Sequence, residues 1–90
     1  MPDHAPKRRS LLTRELAGRA VHTLRQRRLL SQEKLGRLSG VDRPAIGSME
    51  RGERWGLLLT YDKLLMGLGA TWTELGAELD RLIATNRNRS

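Results

Sequence analysis

The sequence predicts an all-α domain of five helices joined by short loops. Three observations carry that prediction. Apolar residues recur at three- and four-residue spacing, the mark of one buried helix face. Capping residues and glycines punctuate these segments where helices start and stop. No segment alternates apolar and polar residues as a half-buried strand would, and no internal repeat shows.

Residues 1–10, MPDHAPKRRS, hold two prolines and a basic cluster (Lys7, Arg8, Arg9) without periodicity, and are expected to form a disordered basic arm. A solvated tail and an arm that tracks phosphates or enters a minor groove are both open readings. The arm lacks the apolar core of a secretory signal. The domain is expected over residues 11–85, with residues 86–90 frayed.

Helix 1 is expected from about Leu11 to Leu29, on Leu16, Ala20, Val21 and Leu24, with Gly18 a weak point. Its end, Arg25-Gln26-Arg27-Arg28, suits the helix dipole and equally offers Arg28 to a backbone phosphate. Helix 2 spans about Gln32–Leu38: Ser31 is a good N-cap, Glu33 favours the first turn, and Leu35 and Leu38 share a face. Gly40 supplies the left-handed stop, and Val41 turns inward to plug the corner. Helix 3 follows over about Arg43–Arg51, with Asp42 as N-cap, Pro44 in the tolerant first turn, Ile46 and Met49 facing inward, and Gly52 as terminator. Helix 4 runs over about Leu58–Leu68 with Leu58, Tyr61, Leu64, Leu65 and Leu68 on one stripe, and Gly69 ends it. Thr71-Trp72-Thr73-Glu74 is a capping box that opens helix 5, whose stripe is Leu75, Leu79, Leu82 and Ile83.

Ninety residues make one small domain, and with Trp55, Tyr61 and Trp72 as the only aromatics its core must be mostly leucine. The lack of cysteine excludes a disulfide framework or thiolate zinc site and fits a reducing cytoplasm. No apolar run approaches the ~18 residues of a membrane span. The net charge is +7 and uneven: residues 61–80 set Lys63 against Asp62, Glu74, Glu78 and Asp80, while the segment before them is strongly basic. One face on a polyanion and another on a protein partner would suit that split. A genome rich in arginine codons explains the amount of arginine, not its placement around the turn between helices 2 and 3.

Catalysis is not expected, and no catalytic residue, metal ligand or cofactor is assigned. His4 lies in the arm, and His22 stands on helix 1 with no carboxylate, cysteine or second histidine at a useful spacing. No glycine-rich phosphate loop exists.

The segment Leu30–Gly52 reads as two short helices around a tight turn followed by an arginine-rich loop, a layout that places one helix in a DNA groove. From Leu24 to Leu75 the chain resembles the lambda-repressor-like (Cro/repressor, XRE-type) helix-turn-helix family. The matching pieces are Leu24-Arg25, Arg27-Arg28, Leu30 through Leu35, Ser39 through Arg43, Ile46, Glu50 through Arg54, Leu68 through Thr71, and Glu74-Leu75. Within it, Val41-Asp42-Arg43 and the Glu50-Arg51-Gly52-Glu53-Arg54 loop are similar to controller proteins of restriction–modification systems, small dimeric regulators made of little more than this domain.

The resemblance implies a five-helix lambda-repressor-like fold and a sequence-specific regulator that binds double-stranded DNA as a homodimer on an inverted repeat. It implies that Gln32 contacts phosphate and buttresses the recognition helix, helix 3. Arg43 would read the first base, where an arginine bidentate to guanine discriminates by about 1–3 kcal/mol. Pro44, Gly47 and Ser48 would face the groove, and Arg51 and Arg54 would clamp phosphate or reach a base. Glu50 would pair with an arginine rather than meet DNA. Two departures stand out. Pro44 and Gly47 leave little side chain for reading bases, which shifts weight to DNA shape. Trp55-Gly56-Leu57 replaces the usual polar entry to helix 4.

The apolar run Trp55–Leu59 cannot all point inward from one helix start, so part of it should be exposed, as should Trp72 at the start of helix 5. Trp55, Leu57, Leu59, Trp72 and Leu75 are the expected dimer interface, and Leu58 is assigned to the core. An antitoxin-like or other protein-docking module on the same fold remains an alternative, though it has no need for the loop arginines. A third reading adds RNA polymerase as a partner through acidic Glu74, Glu78 and Asp80 on helix 5. Each reading places the protein in the cytoplasm, the first with the nucleoid.

Overall fold

The computed structural model describes residues 10–88, so the proposed arm over 1–9 and the last two residues lie outside it. Five helices form in the expected order: α1 Arg14–Arg27, α2 Gln32–Ser39, α3 Arg43–Glu50, α4 Leu58–Leu68 and α5 Trp72–Arg87. The fold is all-α. The Thr13 hydroxyl accepts from the Leu16 N–H at 3.2 Å and starts α1 three residues later than periodicity suggested, leaving Leu11 and Leu12 exposed. Ser31 caps α2 by accepting from the Lys34 N–H at 2.9 Å, and Thr71 caps α5 by accepting from the Glu74 N–H at 3.1 Å. Asp42 sits at the N-cap of α3 but makes no side-chain cap bond. The second residue of that helix is Pro44, which has no N–H to offer it.

Helix ends explain the other shifts. Gly40 and Gly69 close α2 and α4 in the left-handed region, at φ 77° and 67°. α1 stops without a glycine: Leu29 takes φ 56°, its N–H bonds the Gln26 carbonyl, and the Leu30 N–H bonds that of Arg25. This paired closure is a Schellman cap with leucine at the left-handed position, and it throws Leu29 into solvent instead of continuing the helix. α5 passes the expected boundary at 85 and stays helical through Arg87.

α1 packs against α3, α4 and α5, and α2 against α3 and α4. Leu16, Val21, Leu24, Leu35, Ile46, Met49, Leu64 and Leu82 fill the space between them, with Val41 packed against that core as expected. Gly18 is where α1 meets the end of α3: a Cβ there would lie 2.0 Å from the Met49 carbonyl oxygen. The glycine that weakens the helix locally is what lets the two helices touch.

Three apolar assignments are corrected. Leu38 is exposed, although α4 reaches α2 at the next residue, where Gly67 packs on Ser39. Leu58 is 74% exposed, because the buried stripe of α4 begins a turn later, with Tyr61 and Leu64. Leu75, assigned to an interface, is only 5% exposed and belongs to the core. The acidic face of α5 also dissolves. Glu78 is buried and ion-paired with Arg27 at 3.0 Å and with Arg81, and Glu74 is held by Arg28. Of those three acids only Asp80 has no ion pair among the described residues, so α5 offers polymerase no acidic stripe. No helix among the described residues is long and apolar enough to cross a membrane.

Candidate nucleic-acid interface

The turn between α2 and α3 is held from behind by a buried ionic knot. Glu50, the last residue of α3, has a side chain 3% exposed. Arg25 from α1 grips it with two bonds of 2.8 Å, from Nε to Oε2 and from Nη2 to Oε1. Gln32 Nε2 donates to Oε1 at 3.1 Å, and His22 Nδ1 lies 3.0 Å from the same oxygen. The third arginine nitrogen, Nη1, donates to the Leu30 carbonyl at 2.7 Å and ties in the loop before α2. Burial pushes the Glu50 carboxyl up, but hydrogen bonds from Arg25, His22 and Gln32 outweigh it and hold the group below its ordinary value. Glu50 thus meets an arginine, as expected. His22 is not alone on its helix, because its partner comes from 28 residues further along the chain.

In front of this knot lies the outer face of α3. Ile46 and Met49 are buried, which turns Arg43, Pro44 and Arg51 outward. Arg43 is exposed with no ion pair or hydrogen bond among the described residues, and so is Arg54 in the loop that follows. The Ser48 hydroxyl donates to the Pro44 carbonyl at 3.0 Å, which occupies its proton and leaves the oxygen as an acceptor. Gly47 is not itself on the surface. The Arg51 Nη1 and Gln32 Oε1 atoms cover it, lying 2.9 and 3.6 Å from where its Cβ would be. The expected reader Gly47 is therefore a seat for two other side chains.

Arg51 pairs with Glu53, from Nε to Oε2 at 2.8 Å and from Nη2 to Oε1 at 3.2 Å. This holds the Glu53 carboxyl below its ordinary value. Gln32 and Arg51 also line a polar hollow with Glu15, Arg19, His22 and Glu50. Arg19 was not singled out in the sequence, although its place three residues before His22 on one helix face was a usable signal. Arg28 departs from the expected set: it donates to Glu74 Oε2 at 2.7 Å and pins the end of α1 to the start of α5.

A second, apolar surface lies at the opposite end of α4 from Gly69. Trp55, Leu58, Tyr61 and Trp72 line a cavity of about 280 Å³, with Leu12, Leu75 and Leu79 among its other walls. The Trp72 indole N–H donates to Asp62 Oδ1 at 2.9 Å. Leu57 and Leu59 stand outward at 76% and 62% exposure. Leu57 sits at the N-cap of α4 and offers no side-chain cap, in line with the missing polar entry.

Residues 21–75 match the family model described as helix-turn-helix, well over half of the chain. The chain belongs to the helix-turn-helix family. Solved structures agree with that assignment. The restriction–modification controller protein C.AhdI from Aeromonas hydrophila is 39% identical, over 69% of this chain and 94% of its own, with a TM-score of 0.66. Wild-type controller protein C.Esp1396I shares the fold at 20% identity, over 87% of this chain and 99% of its own, with a TM-score of 0.77. The C.Esp1396I tetramer in complex with its natural 35 base-pair operator gives a TM-score of 0.76 at 21% identity, over 86% of this chain and 99% of its own. No curated protein matches the chain. In this family frame α2 and α3 are the helix-turn-helix pair, and the knot at Glu50 fixes the recognition helix against α1.

Proposed function

We propose that this chain is a non-enzymatic, sequence-specific DNA-binding regulator that controls restriction–modification genes, acting as a homodimer on an inverted-repeat operator. The observation that carries this reading is the outer face of α3. Its first turn presents an unpaired Arg43, and Arg51 lies across its middle beside Gln32. A protein-docking module gains nothing from that arrangement, whereas a DNA groove needs it. The kinship with controller protein C.AhdI supports the genes proposed as targets. Residues 11–85 serve as one DNA-binding and dimerisation unit, and the protein works in the cytoplasm on the nucleoid. The deciding experiment selects bound sequences from random duplex DNA at about 0.15 M salt, where phosphate-only binding is weak. An enriched inverted repeat is expected. Arg43→Ala is expected to relax one position of each half-site by about ten-fold. Unchanged preference in that variant would remove α3 as reader, and no enrichment with the wild type would leave only an electrostatic surface.

Dimerisation is assigned to the apolar surface around Trp55, Leu57, Leu59 and Trp72. A two-fold dimer through it would set two recognition helices about one DNA turn (~34 Å) apart. Leu57→Glu tests it, because this side chain is exposed and supports no core contact in the monomer. The variant is expected to sediment as a folded monomer, with unchanged helical signal and half-site binding only. An unchanged dimer mass would remove the interface.

A further inference from the structure

The Arg51–Glu53 pair sits at a place where its energy matters little and its geometry matters a great deal. Both side chains are more than half exposed, so the pair contributes little to stability. Its anchor, however, is rigid. α3 ends in a Schellman cap: the Gly52 N–H bonds the Met49 carbonyl at 3.0 Å, and the Glu53 N–H bonds the Ser48 carbonyl at 3.0 Å. Gly52 holds φ 73° and packs on Glu15, with only 2.8 Å between its would-be Cβ and the Glu15 Cα. The backbone carrying Glu53 is therefore locked to both α3 and α1.

We propose that Glu53 positions Arg51 as a second base-reading arm of the helix-turn-helix, with the missing side chain of Gly47 as its seat. This rests on the DNA-binding reading above. Glu53 occupies Nε and one proton of Nη2, and Nη1 rests over Gly47. The donors left free run along the Nη1–Nη2 edge as a parallel pair, the arrangement that matches O6 and N7 of guanine. The carboxylate also repels nearby phosphate oxygens, so it biases the guanidinium away from the backbone and toward base edges. A recognition helix with proline and glycine at two groove positions regains a reader from beyond its own C-terminus.

The test is selection from random duplex DNA with Glu53→Ala, Gly47→Ala and Arg51→Ala, each checked by thermal unfolding. All three are expected to lose discrimination at the same base pair, by about ten-fold. That pair should differ from the one relaxed by Arg43→Ala. Glu53→Ala should also bind random DNA more tightly, with a steeper salt dependence, because a freed Arg51 turns to phosphate. Losing the carboxylate raises non-specific affinity through charge alone, so the readout that identifies positioning is the loss of discrimination at the base pair that Arg51→Ala also relaxes. Gly47→Ala should unfold at the same temperature or higher, since alanine favours a helix interior. If the wild type selects an operator, and Glu53→Ala and Gly47→Ala select the same one with the same discrimination, the positioning role is overturned while the DNA-binding reading stands. If the wild type selects nothing, both are overturned.

Discussion

Replacing Arg25 with alanine is expected to destabilise the domain by about 3–5 kcal/mol, because it strands a buried carboxylate. Glu50 is 3% exposed at its side chain and takes both of its strong bonds from this one guanidinium. Against a total stability of roughly 5–15 kcal/mol for a small domain, the loss should bring the variant close to unfolding at 37 °C. Urea denaturation followed by circular dichroism measures it. A loss below about 1 kcal/mol would mean that water reaches and hydrates the carboxylate once Arg25 is gone, so that no desolvated charge is stranded. Replacing both partners, Arg25→Met with Glu50→Leu, should recover much of the stability, because the penalty comes from the unpaired charge.

The same pair dictates an acid limb. The folded-state value of Glu50 lies below its ordinary one, so its contribution is present above the unfolded value of about 4.3. It is lost as pH falls through the lower folded value. In Arg25→Ala the dominant remaining influence is burial, which raises the carboxyl instead. Its penalty should therefore be largest at neutral pH and shrink as acid protonates the group. The gap between wild type and variant is expected to start narrowing above the ordinary carboxylate value, where the raised carboxyl of the variant takes up its proton, and to go on closing as pH falls through the lowered wild-type value. A gap independent of pH would show that charge is not its source.

Much of the scaffold was legible from single residues, because caps and stops are local chemistry. Ser31, Gly40, Gly69 and Thr71 each sit where a helix begins or ends, and each acts through bonds to residues three or four positions away. The end of α1 was not legible for the same reason in reverse. Leu29 adopts a backbone region that leucine rarely visits, and what supports it includes the Arg25 bond to the Leu30 carbonyl. No propensity marks that position. Leu58 fell outside the core because periodicity finds a stripe but not where the neighbouring helices stop covering it, whereas Leu75 lies on the buried stripe that periodicity gave α5.

The site divides along the same line. Arg43, Arg51 and Arg54 could be placed near the turn from their spacing alone, and all three are exposed. The residues that organise them could not be found that way. Glu50 draws partners from 18, 25 and 28 residues away. Arg28 looked like a phosphate contact until its partner Glu74, 46 residues on, came beside it. Gly47 looked like a gap in a reading surface, whereas the space it leaves is filled by Arg51 and Gln32. Which charges stay free for a ligand depends on which others fold back onto the protein, and that is a property of the tertiary structure.

Gly18→Ala sets local propensity directly against packing, and packing should win. In an isolated helix the change stabilises by about 0.5–1 kcal/mol. Here the new methyl would lie 2.0 Å from the Met49 carbonyl oxygen and 2.9 Å from that of Glu50. Both are backbone atoms at the end of the recognition helix, so neither can rotate away. Relief requires α1 and α3 to separate, and overpacking of this kind costs typically 1–3 kcal/mol, with more where backbone must move. A net destabilisation of about 2 kcal/mol is expected, with weaker binding to the selected operator, because the shift moves α3 and its Glu50 away from Arg25 on α1. Gly76→Ala is the internal control. It lies within α5 with no heavy atom within 4 Å of the position its Cβ would take, so it should show the propensity gain alone, about 0.5–1 kcal/mol. Thermal unfolding should therefore move in opposite directions for the two variants. If both rise together, the close approach of α1 to α3 does not constrain the fold.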